Sequence, residues 1–152
     1  MTKLAKVRGL TLIEVLVVIS VMAIIITIVL MSFSTFNNNY LLEGSTQTVG
    51  VTLKDARART LSAKDGFQYG VHIGSTSVTL FRGNVFSAGA SSNEVKNLPS
   101  SVAIGTTTIS GGGFDFIFAR LRGTVQSGTT SLYLISDPLR YKTVIIEESG
   151  LI

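Results

Sequence analysis

Hydrophobic and polar residues follow one rhythm in the first third of the chain and another in the rest. No charged side chain occurs from Val15 to Met31, while Glu14 and the basic trio Lys3, Lys6 and Arg8 precede that run. No Gly or Pro interrupts Leu10–Glu43, so this stretch predicts a helix. The uncharged run alone spans roughly 25 Å as a helix, and Leu10–Phe33 roughly 35 Å, enough to cross a bilayer. Asn37-Asn38-Asn39 marks the exit from the run, a triplet that predicts a cap or an interruption. A helical period resumes from Tyr40 to Lys64, with Val49, Leu53, Ala56 and Leu61 near one face and Lys54, Asp55, Arg57, Arg59 and Lys64 elsewhere. Gly44 and Gly50 predict a bend or fray in it, and Gly66 its C-terminal stop.

Beyond Gly66 the period shortens to that of strands. Phe67–Ile73 and Ser77–Phe81 alternate around Gly74-Ser75-Thr76 and predict a hairpin. Asn84–Asn93, rich in Gly, Ser and Ala, predicts a loop. Ser101–Ile104 and Thr106–Ile109 read as two short extended pieces, and Gly111-Gly112-Gly113 as a turn. Phe114, Phe116 and Phe118 are expected on one strand face, with Asp115 turned to solvent. Thr130–Ile135 and Tyr141–Glu147 predict two more strands separated by Asp137-Pro138, with Gly150 turning Leu151-Ile152 into a sheet edge. The fold class expected is α+β: a long N-terminal helix packed on a small antiparallel sheet domain. The divisions expected are 1–9, a basic tip; 10–36, a membrane helix; 37–65, its amphipathic continuation; and 66–152, a β-rich domain.

Composition sharpens this picture only in part. Of 152 residues 45% are hydrophobic and 14% charged, and much of the apolar excess lies in the first 33 positions. The net charge of +4 invites a nucleic-acid reading, but three of the 13 basic residues lie within the first nine positions. Elsewhere basic residues outnumber the 9 acidic ones by one. Under the positive-inside rule Lys3, Lys6 and Arg8 stay cytoplasmic and the C-terminal bulk lies outside, a single-pass arrangement. Without cysteine there is no disulfide, thiolate nucleophile or Cys-based metal site.

The N-terminal run by itself admits a cleaved secretory signal, with Ser32-Phe33-Ser34 as a small-x-small site, or a plain uncleaved anchor carrying a binding module. Glu14 either stays near the membrane surface, snorkelling to the headgroups, or has its charge cancelled by a neighbour, because a carboxylate in hydrocarbon costs about 2.5–3.5 kcal/mol on insertion scales. Gly9-Leu10-Thr11-Leu12-Ile13-Glu14-Val15-Leu16-Val17-Val18-Ile19 resembles the prepilin signal of type IV pilins and type II secretion pseudopilins. The resemblance implies that a membrane aspartyl peptidase cuts between Gly9 and Leu10, removing a leader of residues 1–9, and that the new N-terminus at Leu10 is methylated. The family usually begins its mature chain with Phe, and here Leu10 takes that place. Glu14 becomes the fifth mature residue, whose carboxylate is expected to meet the α-amine of a neighbouring subunit.

Leu53–Leu61 resembles the Leu-x-x-Ala-Arg-x-x-Ala helix of H-type minor pseudopilins (GspH) and FimT-like minor pilins. Phe118–Gly123 and Val144–Ile152 are similar to their strand-turn and closing strand. The partners implied are other pilin or pseudopilin subunits, the prepilin peptidase and methyltransferase, an inner-membrane assembly platform, and lipid before assembly. The final location implied is a pilus or pseudopilus, in the periplasm or at the cell surface.

A DNA-binding minor pilin used in natural transformation is the other filament function considered. Lys54, Arg57, Arg59 and Lys64 form a stripe that Asp55 and Asp65 interrupt, and no aromatic residues alternate with them as stacking platforms. Arg57, Arg59, Arg120 and Arg122 are the candidate contacts for nucleic acid or an acidic partner, and nucleic acid is not the expected partner. The lone histidine, His72, sits in an alternating strand and cannot by itself build a multi-His metal site. No Gly-x-Ser-x-Gly elbow or phosphate loop is present, so no catalytic residue, metal or cofactor is assigned and the chain is not expected to be an enzyme.

Overall fold

The structure, a computed structural model, describes residues 11–152, without the side chains at positions 31, 32, 34 and 35. The chain divides into two compact units, Met1–Asn37 and Asn38–Ile152, and one helix, α1 (Leu12–Leu61), supplies residues to both. In the first unit the helix is long and apolar enough over Leu12–Leu30 to cross a membrane, and none of that stretch is buried in the protein. Two hydroxyls there bond back to their own helix, Ser20 Oγ donating to Leu16 O and Thr27 Oγ1 to Ala23 O, each at 2.8 Å. Neither therefore requires water inside hydrocarbon.

In the second unit the remainder of α1 lies with two antiparallel sheets, an α+β architecture as expected. Strands β1 (Tyr69–Ile73), β2 (Ser77–Arg82), β3 (Glu94–Asn97) and β5 (Asp115–Ile117) form one sheet in the order β3-β2-β1-β5. Strands β4 (Val102–Ile109), β6 (Gly128–Leu134) and β7 (Asp137–Ile146) form the other in the order β4-β6-β7. A single core joins the three layers: Leu42, Val49, Leu53 and Ala56 of α1 meet Val71, Leu80 and Phe116 of the first sheet and Val102, Leu132 and Ile146 of the second. Each of these side chains except that of Ala56 contributes about 1.5–3 kcal/mol by leaving water.

The buried stripe on α1 runs Leu42, Ser45, Val49, Thr52, Leu53, Ala56 and Thr60. Leu61, expected on that stripe, is 43% exposed. At 100° per residue it lies about 120° from Val49, whereas Thr60 lies about 20° away. Thr60 closes the stripe by accepting the Tyr69 N–H at 2.9 Å and donating to Ala56 O at 2.8 Å, which fastens β1 to the end of the helix. The helix runs unbroken through Asn37–Asn39 and through Gly44 and Gly50; at the glycines, packing of the stripe outweighs the local propensity cost of about 1 kcal/mol each. It ends at Leu61, four residues before the expected 65. Ala63 adopts the left-handed conformation there (φ 48°), and Gly66 belongs to a separate one-turn 3₁₀ segment, Lys64–Gly66.

The hairpin of β1 and β2 pairs Val71 with Leu80. The two short pieces around Gly105 are one strand, β4, whose register to β6 shifts between Ile104 and Thr107. Phe114 does not share the buried face of Phe116 and Phe118; it is 59% exposed, in the turn that follows the positive-φ glycines Gly112 and Gly113 and before pairing begins. Asp137-Pro138 does not separate the last two strands: the turn is Ile135-Ser136, and β7 already starts at Asp137. Leu151-Ile152 adds no strand. The chain folds back at Gly150 with Glu147 N–H on Leu151 O at 2.9 Å, and Ile152 packs on the core.

Gly128 shows how tightly β6 is held. A Cβ there would sit 2.4 Å from the backbone oxygen of Thr108 and 2.9 Å from the Phe116 ring. Gly128→Ala is expected to cost about 2 kcal/mol, the usual scale for an overpacked core, whereas Gly89→Ala, which meets nothing, should stay within about 0.5 kcal/mol. Thermal unfolding of the full chain in detergent, followed by circular dichroism, measures both.

Candidate functional site

The first unit carries the residues expected to be processed. Lys3, Lys6, Arg8, Gly9 and Leu10 lie outside the described residues. Thr11 and Glu14 are described, and they organise the start of α1. The Glu14 N–H donates to Thr11 Oγ1 at 3.3 Å, and the Val15 N–H to Thr11 O at 3.3 Å, so Thr11 is the N-cap. Thr11-Leu12-Ile13-Glu14 is the Ser/Thr-x-x-Glu pattern of a capping box, a helix-start signal legible in the sequence that the reading above did not use. It places the Glu14 carboxylate in the first turn, where the helix dipole favours negative charge. Glu14 is exposed, as is every described side chain from Thr11 to Leu30.

The family model for the prokaryotic N-terminal methylation motif matches residues 4–30. The chain carries a prepilin-type signal. That match takes in Gly9, Leu10 and Glu14 together with the whole apolar stretch Leu12–Leu30, the helix long and apolar enough to cross a membrane. No curated protein and no solved structure matches the chain.

The second unit holds the four arginines singled out as candidate contacts, and the structure splits them into two pairs. Arg59 turns inward to an ion-pair cluster: its guanidinium bonds both oxygens of Asp55, at 2.9 and 2.8 Å, and Glu94 on β3 at 2.5 and 3.0 Å. These bonds, the one to Glu94 foremost, raise the Arg59 pKa above its usual value and hold the Glu94 carboxyl below the usual carboxylate range. Arg57 reaches backbone instead, Nε donating to Gly123 O at 3.3 Å and Nη2 to Ser149 O at 3.1 Å. It ties the helix to the turn after Phe118 and to the C-terminal turn. Arg120 and Arg122 are exposed in that first turn, and among the described residues neither has a carboxylate within 4 Å.

Asp115, expected to be simply solvated, is engaged. His72 Nδ1 lies 2.6 Å from Asp115 Oδ1, and the imidazole stacks on Phe86 with centroids 3.8 Å apart. Spacing in the sequence did not reveal this set, because the partners come from β1, β5 and the loop after β2. Among the described residues no serine or threonine hydroxyl hydrogen-bonds the ring, and no group of three or more His, Cys, Asp or Glu converges on a metal-sized site.

Arg57→Ala should cost about 1 kcal/mol through two unmade bonds to carbonyls, and Arg57→Lys should recover little, since an ammonium cannot reproduce the planar fork. Glu94→Gln should cost about 0.5 kcal/mol at pH 7, the small value proper to a pair whose Glu94 side chain is 49% exposed. Because the folded-state pKa of Glu94 is depressed, its contribution is present above the ordinary carboxylate value of about 4.3 and is lost as pH falls through the depressed one. Denaturant unfolding of both proteins between pH 7 and pH 3 should therefore show the difference disappearing on the acid side.

Proposed function

We propose that the protein is a structural subunit, a minor pilin or pseudopilin, stored in the membrane and then assembled into a type IV pilus or type II secretion pseudopilus. The supporting observation is the coincidence, within residues 4–30, of the methylation motif with an apolar helix that nothing in the protein covers. In this reading the prepilin peptidase cuts after Gly9 and leaves a methylated α-amine on Leu10. Lys3, Lys6 and Arg8 hold the leader on the cytoplasmic side, and the second unit lies outside. Assembly with other pilin subunits then replaces lipid by neighbouring helices, so one apolar surface serves two surroundings.

Glu14 acts in that transfer. An unpaired carboxylate among apolar helices is costly, whereas a charge-assisted hydrogen bond to the Leu10 amine of an adjoining subunit offsets much of the cost. The pair thus selects one axial register between subunits. The protein is a substrate of the peptidase and acts as a filament component, not as a catalyst. The resemblance of Leu53–Leu61 to the H-type helix supports the minor-subunit reading. The inward commitment of Arg57 and Arg59 favours a structural role for them over nucleic-acid contact.

Mass spectrometry of the protein from its host should show a chain beginning at methylated Leu10; a functional protein that retains Met1–Gly9 would refute the reading. Glu14→Ala should lower incorporation into filaments by at least about tenfold, the scale of one lost ion pair, while Glu14→Asp keeps part of it.

A further inference from the structure

The β6–β7 hairpin carries a feature that the fold itself does not need. Tyr133 pairs with Tyr141 and Leu134 with Asp137, so Pro138, Leu139 and Arg140 of β7 have no opposite residues on β6. Such a bulge leaves its residues out of the ladder and re-aims their side chains, and Pro138 reinforces it by lacking an N–H to donate. Leu139 is 89% exposed, the most exposed large hydrophobic side chain among the described residues, with Ile135 at the turn 55% and Tyr141 65% exposed. An ordinary hairpin tip would be polar here.

The position of this tip in the chain says what covers it. Arg140 donates to Asn39 Oδ1 at 3.1 Å, and Lys142 is paired with Glu43, so the root of the bulge is fastened to the first residues of the second unit. Asn39 follows the last residue of the membrane-length stretch, Leu30, by only nine positions. Those nine residues span about 14 Å at helical rise and no more than about 31 Å fully extended. When Leu12–Leu30 spans a bilayer, the chain therefore holds Asn39, and with it the root of the bulge, within that distance of Leu30. Its charges are already paired, Arg140 with Asp137 at 3.1 Å and Lys142 with Glu43, which leaves an apolar, electrically neutral projection followed by the exposed Tyr141. Neutral apolar tips with neighbouring tyrosines suit the boundary between headgroups and acyl chains.

We propose that the β6–β7 tip, through Leu139 and Ile135, is a second membrane contact that seats the outer unit on the lipid surface before assembly. The contact requires no anionic lipid and tolerates high salt, because no free charge takes part. This rests on the reading of Leu12–Leu30 as a membrane anchor, and the two are tested separately in one experiment. The chain has no tryptophan, so single reporters can be placed without background. Leu139→Trp, Ile135→Trp, Val95→Trp on the exposed strand β3, and Leu16→Trp in the apolar stretch are each made in the full chain. Each is reconstituted in phosphatidylcholine vesicles whose acyl chains are brominated just below the headgroup or near the bilayer centre.

The proposal expects the headgroup-proximal bromines to quench the Leu139→Trp and Ile135→Trp emission by about half, as for an interfacial side chain, and to leave Val95→Trp unchanged. If both tip reporters behave like Val95→Trp while Leu16→Trp is quenched from the bilayer centre, the anchor stands and the second contact is overturned. If Leu16→Trp also escapes quenching, the anchor reading fails and the proposal fails with it. Shielding of the tip that grows with protein-to-lipid ratio, without bromine quenching, would assign this face to a second copy of the chain and likewise overturn the proposal.

Discussion

Apolar surface that the protein does not cover governs this molecule. From Leu12 to Leu30 nothing in the second unit buries the helix, and the stretch is too long and too uniformly apolar to remain in water. In the proposed function lipid satisfies it before assembly and neighbouring helices satisfy it afterwards. Hydroxyls bonded within the helix leave few polar groups to be satisfied in either setting, and Thr11 completes the first turn from inside the chain. Glu14 is the exception, and for that reason the proposed function builds a directional interaction between subunits on it.

The second unit is made differently. Its stability rests on a single stripe of α1 that two antiparallel sheets enclose, with Thr60 joining helix to strand and Arg57 and Arg59 binding distant segments to the helix. Cationic side chains that seem available for a polyanion in a linear reading are, in part, internal fasteners. Arg59 illustrates the point: Asp55 lies four residues earlier on the same helix and Glu94 is 35 residues away, yet both meet one guanidinium. Charge counted along a sequence is a poor guide to charge offered to a partner.

Legibility in the sequence followed the range of the interactions concerned. The membrane-length helix, the β1–β2 hairpin and the loop before β3 are local matters of composition and period, and they were readable. Boundaries were less so. Ala63 takes the left-handed position that a glycine was expected to fill, and Gly44 and Gly50 sit in an unbroken helix because packing of Leu42, Val49 and Leu53 outweighs their propensity. The turn at Ile135-Ser136 carries no Gly, Asn or Pro, so the nearby Asp137-Pro138 drew the expected turn two residues too late. On the candidate site, the Thr11 cap was available as a four-residue pattern, whereas the His72–Asp115–Phe86 set joins three segments that only folding brings together.

The sequence by itself determined the membrane-length helix, the N-terminal methylation motif and the α+β class, because each depends on residues close in the chain and on a repeating pattern of apolar positions. Only the tertiary structure decided which arginines are occupied, which phenylalanines are buried, and that Leu139 stands out from a three-residue bulge beside Asn39. Those outcomes depend on strand register and on contacts across scores of residues, and a one-residue change of register would have reversed the face of every side chain involved.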